Sequence, residues 1–553
     1  MVGICSRFGS YFRIVPAMAS RALTPALITC LALPLLAWGC GVDDTSAESE
    51  EGSESAGDGD GDPFGEETGE DPGPMDSYPA TGISITHVEA NQGTEVRIGE
   101  GGEWVDGVDR IAPLARKRNT LIRVHYDVDA DFQPRELEAR LILQSEDGAT
   151  KVYTQSKMVE GPSEPNVLAG TFFFGLVADN GDVDPGMQYK VEIHEMAEGA
   201  GGGEAEGVWQ TPPQLEPIGI QPEPIELKVM FVPYHHLYEG IDNTSNTTDE
   251  VMQVITDYVY EQTPVEKLTW ELHEIVLWDK PMENLGSILG PLSAMRDNEM
   301  AFPNWYYHAL FPVPNGGVAG VAGLASVPGP GKGEGNQRVS ATALGNNVFG
   351  TRGTVVHEIG HNEGLQHVYC PFAMSASPDP NYPFENGVIG YWGFGILSFE
   401  LYAPDNHYDY MSYCGPSWAS RWSFRKTFER QRILTSWDYE DSGSNGDEKT
   451  LLFGQIDAAG EEFWWTAHGT MPSTADPYGQ DYDHAIELRQ AGETVDLLPA
   501  VIRYTNDYST AWIVSELPEG RTKLEGIDSI ARLDEYQDAH LVPVDNIQLS
   551  RRP

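Results

Sequence analysis

Residues 357–367 read His357-Glu358-Ile359-Gly360-His361-Asn362-Glu363-Gly364-Leu365-Gln366-His367. On a helix, His357 and His361 are four residues apart and share one face, so both imidazoles can reach a single metal ion. Gly364 can enter the left-handed region, end the helix and turn the chain. That turn lets His367 return as a third ligand. Three protein ligands leave a fourth position open, as in a catalytic rather than a structural zinc site. Glu358 follows the first ligand and can act on a water at the open position without binding the metal itself. The stretch therefore predicts one catalytic Zn²⁺ held by His357, His361 and His367, with Glu358 as general base.

Five fixed positions match this pattern by chance at roughly 10⁻⁴. The chain supplies its own control, since His194-Glu195 and His273-Glu274 repeat the dipeptide with no histidine three residues beyond the glutamate. The motif resembles the signature of the metzincin zinc peptidases. The resemblance extends to Tyr410-Met411-Ser412-Tyr413, which is similar to the methionine turn of astacins and serralysins. It implies that Met411 lies beneath the metal and that Tyr413 donates a hydrogen bond to the developing oxyanion, worth about 3–4 kcal/mol. A core methionine beside a half-buried tyrosine is the plainer alternative. The resemblance also implies a multidomain protein. Its centre is an α/β metzincin-like catalytic domain with a mixed twisted sheet and a zinc-binding helix, flanked by all-β, immunoglobulin-like sandwiches. Within that fold Gly323-Leu324-Ala325-Ser326-Val327 becomes the edge strand over the cleft, where an extended substrate adds as a further strand. A flexible loop is the alternative for these small residues. Cys370 and Cys414 follow His367 and Met411 by three residues each, so the same resemblance makes them neighbours and, in an oxidising compartment, a disulfide. Two free buried thiols remain the alternative.

The pattern around the motif agrees with this order. A β run at Glu226 to Val232 precedes a helical stretch from Thr248 to Gln262 and strands at Leu268–Trp278, Trp305–Phe311 and Arg338–Leu344. The zinc helix follows, with Thr351 as its expected N-cap, and a last helix covers about Ser420–Leu434. On these signals the chain divides into residues 1–40, a signal peptide; 41–82, an acidic tether; 83–225, an N-terminal β-sandwich; 226–440, the catalytic domain; and 450–553, a C-terminal β-domain. Its 553 residues suit about three folded units. Phe463-Trp464-Trp465 in the last unit serves either as core or as an exposed glycan-binding face, with core favoured.

The formal charge is −51, and residues 41–80 hold 14 acidic and no basic side chains. Such a surface repels phosphate backbones, which argues against nucleic acid as a partner. The tether has too little apolar surface to fold. Its Asp58-Gly59-Asp60-Gly61-Asp62 run fails the register of a calcium loop, so calcium has no support. Before it, the apolar run Ala22 to Trp38 is broken by Pro25 and Pro34 and reads as an export signal rather than a span. Met18 makes a more ordinary start for that signal than Met1. Leu36-Ala37-Trp38-Gly39-Cys40 resembles a bacterial lipoprotein processing site with Cys40 as the lipidated residue. The expected location is the outer membrane of a Gram-negative bacterium or the cell surface, with membrane contact only through the lipid; simple secretion is the alternative. No cysteine occurs from 41 to 369, so no thiolate from that stretch can silence the metal.

The function these features imply is a monomeric zinc endopeptidase acting on extracellular protein or glycoprotein substrates. Two rivals stand beside it: a surface adhesion protein with a vestigial peptidase domain, and a zinc hydrolase acting on a non-peptide bond. The intact Glu358 disfavours the first.

Overall fold

Alternating apolar residues build the first layers. In the strand Arg135–Gln144, Leu137, Ala139, Leu141 and Leu143 are all buried, while Arg140, Ile142 and Gln144 alternate with them on the more exposed face. This strand lies between Gln188–Met196 and Thr150–Val159 in an antiparallel sheet completed by Ser77–Pro79 and Gln210–Pro217. A second five-stranded sheet has the order Glu103–Trp104, Glu95–Glu100, Ile83–Asn91, Thr120–Val128, Phe172–Leu176. The computed structural model describes residues 77–552 apart from 111, 197–206, 314–316, 374–377, 440–447, 473–478 and 534–538. Cys40, the signal and nearly all of the tether lie outside the described residues.

The middle of the chain forms a seven-stranded mixed sheet. Glu226–Tyr238, Trp305–Pro312 and Val339–Leu344 run parallel, and Gly323–Ala325 closes one edge antiparallel to the last of them. Four α-helices occur among the described residues: α1 Asp249–Gln262, α2 Gly286–Asn298, α3 Val348–Asn362 and α4 Arg421–Ser436. The period of two decides what each face of this sheet meets. Leu227, Val229, Phe231, Tyr306 and Leu310 share a core with Val259 of α1, Val355 and Ile359 of α3, and Phe424 and Phe428 of α4. Val232, Tyr307, Ala309 and Phe311 face Leu289 and Leu292 of α2. Burial on both faces explains why Trp305–Pro312 reads as an almost unbroken apolar run.

Residues from Lys449 onward fold into an eight-stranded sheet that curls towards a barrel. It is joined to the middle sheet by shared core. Phe453, Trp465, Trp512 and Val514 pack in the same cluster as α2 and the inner face of the middle sheet. Trp464 and Trp465 are both buried, so the aromatic run serves packing. The N-terminal sheets join in the same way. The fully buried Arg118 donates to the carbonyls of Tyr260, Glu261 and Val265 at 2.8–3.1 Å, and Trp418 Nε1 donates to Gly93 O at 2.7 Å.

The expected fold class, an α/β metzincin-like catalytic domain between immunoglobulin-like sandwiches, is corrected by these findings. Among the described residues the fold is mostly β, with 43% strand against 19% helix, and no helix-based core of that kind is evident there. The helical signals at 248–262 and 420–434 are genuine but local. Among the described residues between α3 and α4, regular structure is limited to a 3-10 turn at Glu385–Gly387 and two-residue strands such as Tyr408–Asp409 and Ser417–Trp418. Strand pairing over long sequence distances, invisible to periodicity, makes up the rest.

Candidate metal centre

Helix α3 begins at Asn347, whose side chain accepts from Gly350 N. Thr351, the expected cap, sits one turn later and donates its hydroxyl to Asn347 O at 3.1 Å. A good N-cap residue four positions upstream captures the end, and Thr351 falls inside the first turn. The helix ends as its glycine requires. Gly364 has φ +89°, Gly364 N donates to His361 O at 2.8 Å, and Leu365 N donates to Gly360 O at 3.0 Å. These two bonds form the Schellman ending.

The turn brings the three imidazoles together. His361 Nε2 lies 3.1 Å from His357 Nε2 and 3.2 Å from His367 Nε2. His357 Nδ1 donates to Tyr410 O at 2.7 Å and His361 Nδ1 to Leu365 O at 2.8 Å. With Nδ1 carrying the proton, each of these rings presents a bare Nε2 lone pair to the centre. Burial, reinforced by the neighbouring His367, holds His357 down at about 3 and His361 well below the usual histidine range, so both stay neutral. Bare lone pairs at this spacing repel each other unless a cation lies between them. The donor set and its carbonyl supports fit a zinc ion.

Glu358 is buried, and its Oε2 has no hydrogen-bond partner. Burial first, and the charge of Asp507 second, push its carboxyl well above the usual range. Gly323 makes room for it, because a Cβ there would lie 2.5 Å from Glu358 Oε1. Tyr413 Oη is 2.9 Å from His367 Nε2 on a residue 40% exposed, which places the phenol at the rim of the histidine cluster. Met411 is completely buried beneath the helix. A Cβ on Gly360 would stand 2.5 Å from its sulfur, so that glycine sets the approach. The turn is pinned by Asp409, which accepts from Met411 N at 2.8 Å and from Ser423 Oγ at 2.7 Å. Cys370 and Cys414 are disulfide-bonded, tying the segment after His367 to the segment after Met411.

Several residues of the site carry no sequence signal of their own. Asn362 donates to Ser326 O at 2.8 Å and Val339 O at 2.9 Å, fastening the helix end to the edge of the sheet. Glu363 accepts from Thr427 and Gln431 of α4, and burial pushes its carboxyl up to about 7. The pair Gly323 and Gly360 could have been found by asking which glycines a close-packed motif needs. Gly323–Ala325 forms an edge strand of the middle sheet; Ser326 and Val327, expected in that strand from the sequence, lie beyond its end. Its outer side is partly taken, however, because Asn506 N donates to Ala325 O at 3.2 Å and Ala325 N donates to Asn506 Oδ1 at 3.1 Å.

No protein-family description and no curated protein matches this sequence. Among solved structures, a calcium-binding mutant of Bacteroides uniformis beta-glucuronidase 2 aligns at 10% identity and TM-score 0.15. That alignment covers 42% of this chain and 29% of that one, so this chain spans under a third of that relative's length. A protein described as a beta-galactosidase from Bacteroides fragilis aligns at 9% identity and TM-score 0.14, over 86% of this chain and 76% of that one. Superpositions this loose assign neither fold nor activity.

Proposed function

We propose that this chain is a zinc-dependent hydrolase of peptide bonds, with His357, His361 and His367 holding the metal. The observation that carries this is the convergence of three imidazole Nε2 atoms beside a buried, unpartnered glutamate oxygen. Zinc, when bound there, supplies a Lewis acid for the scissile carbonyl and lowers the pKa of water. Hydrolysis adds water across the C–N bond, leaving a carboxylic acid and an amine. Glu358 takes one proton from that water and delivers it to the departing nitrogen. Its Oε2 is buried and has no hydrogen-bond partner, which leaves it able to accept that proton. The Tyr413 hydroxyl, at the rim, donates to the oxygen on which charge develops.

The disulfide supports an oxidising, extracytoplasmic setting, and no described helix is long and apolar enough to cross a membrane. An exported protein acting on extracellular protein substrates, with Cys40 as lipid anchor, agrees with the disulfide. Metal analysis of purified protein tests the assignment. About one zinc per chain is expected, lost in His361→Ala and His367→Ala. Glu358→Ala should retain zinc and lose peptide hydrolysis. Equal zinc in the histidine variants, or full hydrolysis by Glu358→Ala, refutes it.

A further inference from the structure

The edge strand beside Glu358 is open along only part of its length. In the pairing of Gly323–Ala325 with Val339–Leu344, Ala343 N donates to Ala322 O and Ser326 N donates to Val339 O. Leu324 therefore bonds inward, while Gly323 and Ala325 turn their N–H and C=O outward. Gly323 lies against the Glu358 carboxyl. Ala325, two residues on, has both outward groups taken by Asn506, and Ser326 bridges Thr505 in antiparallel sense. A chain added antiparallel to this edge, the more stable pairing, has its N-terminal side towards Ala325. It meets Asn506 there.

The obstacle is built in. The turn is closed by Thr505 N to Thr510 O and Tyr508 N to Thr505 O, both 3.0 Å. The strand that leaves it, Ala511–Glu516, buries Trp512 and Val514 in the core shared with α2. A lid would need to tear that core. Within the turn, Asp507 uses Oδ1 to accept from Thr505 Oγ1, Ser509 N and Ser509 Oγ at 2.7–2.9 Å. This fixes a carboxylate at the blocked end of the edge, next to the Asn506 that pairs with Ala325.

Building on the peptidase reading, we propose that the turn Thr505–Thr510 closes the cleft on the side N-terminal to the scissile bond. Cleavage is then confined to bonds within about two residues of a free N-terminus, the span of strand from Gly323 to Ala325. The Asp507 carboxylate receives the substrate's α-ammonium. The C-terminal region is thus part of the specificity machinery, and the favoured substrates are peptides with exposed, unblocked N-termini.

The test digests a library of synthetic peptides with the zinc-loaded full chain and maps every cut by mass spectrometry, with an N-acetylated copy of the library in parallel. Cuts are expected at the first two or three bonds, with acetylation slowing them at least tenfold. Asp507→Asn should shrink that ratio to below threefold by slowing the free peptides. Replacing residues 506–509 by Gly-Gly should admit cuts further from the N-terminus. Cleavage deep within peptides and indifferent to acetylation overturns the proposal, as does cleavage counted from the C-terminus. Absence of any cleavage by zinc-loaded protein refutes the peptidase reading itself, and this inference falls with it.

Discussion

Gly323→Ala is the substitution whose effect the geometry specifies most sharply. A Cβ at 323 would lie 2.5 Å from Glu358 Oε1, 2.6 Å from Glu358 Cγ and 2.6 Å from Thr354 Cγ2. Ordinary contact begins near 3.4 Å, so the glutamate must retreat by roughly 0.8–0.9 Å to accept the methyl group. It has little room, because Glu358 is buried and the new methyl group would press on Thr354, one helical turn away, at the same time. A misplacement of about 1 Å at a reacting group costs on the order of 10²-fold in rate, and overpacking costs about 1–3 kcal/mol in stability. The expected outcome is a fall in kcat of about 10²-fold with zinc content unchanged, since no histidine ligand is touched. Steady-state kinetics on a peptide substrate, metal analysis and thermal unfolding on the same preparation separate the three effects. A Gly323→Ala protein with full zinc and parental kcat would show that Glu358 is not the positioned base.

Tyr413→Phe should lower the rate by about 10²–10³ through loss of one oxyanion donor, with zinc retained; an unchanged kcat would assign Tyr413 to packing. Replacing Cys370 and Cys414 by serine reopens a loop with a separation of 44 residues, which should cost about 4 kcal/mol, read as a lowered denaturation midpoint. Glu192 is held down at about 2, chiefly by the hydrogen bond from His194 and then by Lys190, against the opposing effect of burial. A depressed carboxyl contributes stability that is present above about pH 4.5 and lost as pH falls towards 2. Glu192→Gln should therefore cost about 1–2 kcal/mol at pH 7, after allowance for partial exposure, with the difference vanishing near pH 2. Deleting residues 77–225 should leave the remainder insoluble, because Arg118 satisfies three carbonyls at the C-terminal end of α1 and in the turn that follows it; a soluble, folded remainder would show that the cores are separable.

What the sequence made legible was local. The spacing of His357, His361 and Gly364 encodes a face and a turn within three helical turns, so geometry follows from residue type. Helix α1 was readable to within a residue for the same reason. The link from Cys370 to Cys414 and the burial of Met411 came through resemblance, and the chain places both beside the histidines. The fold class was misread because sheets are built from partners far apart in the chain. Thr94 bridges Gly393 and Ser326 bridges Thr505, and no periodicity announces either. The edge strand illustrates the limit. Gly323 to Val327 could be picked out by small residues, but the Asn506 that occupies its outer side stands 181 residues away. Likewise Asn362 and Glu363 look like filler within the motif, and only their partners at Val339, Thr427 and Gln431 reveal that they fix the helix end.

The most direct trial of a metal-dependent peptidase at this site is to strip the purified protein of metal and titrate zinc back while following cleavage of a peptide with a free N-terminus. Activity should be absent at the start, rise in proportion to added zinc and break at about one equivalent per chain. Cleavage that persists without metal, or none at any zinc level in protein that binds one equivalent, would contradict the assignment.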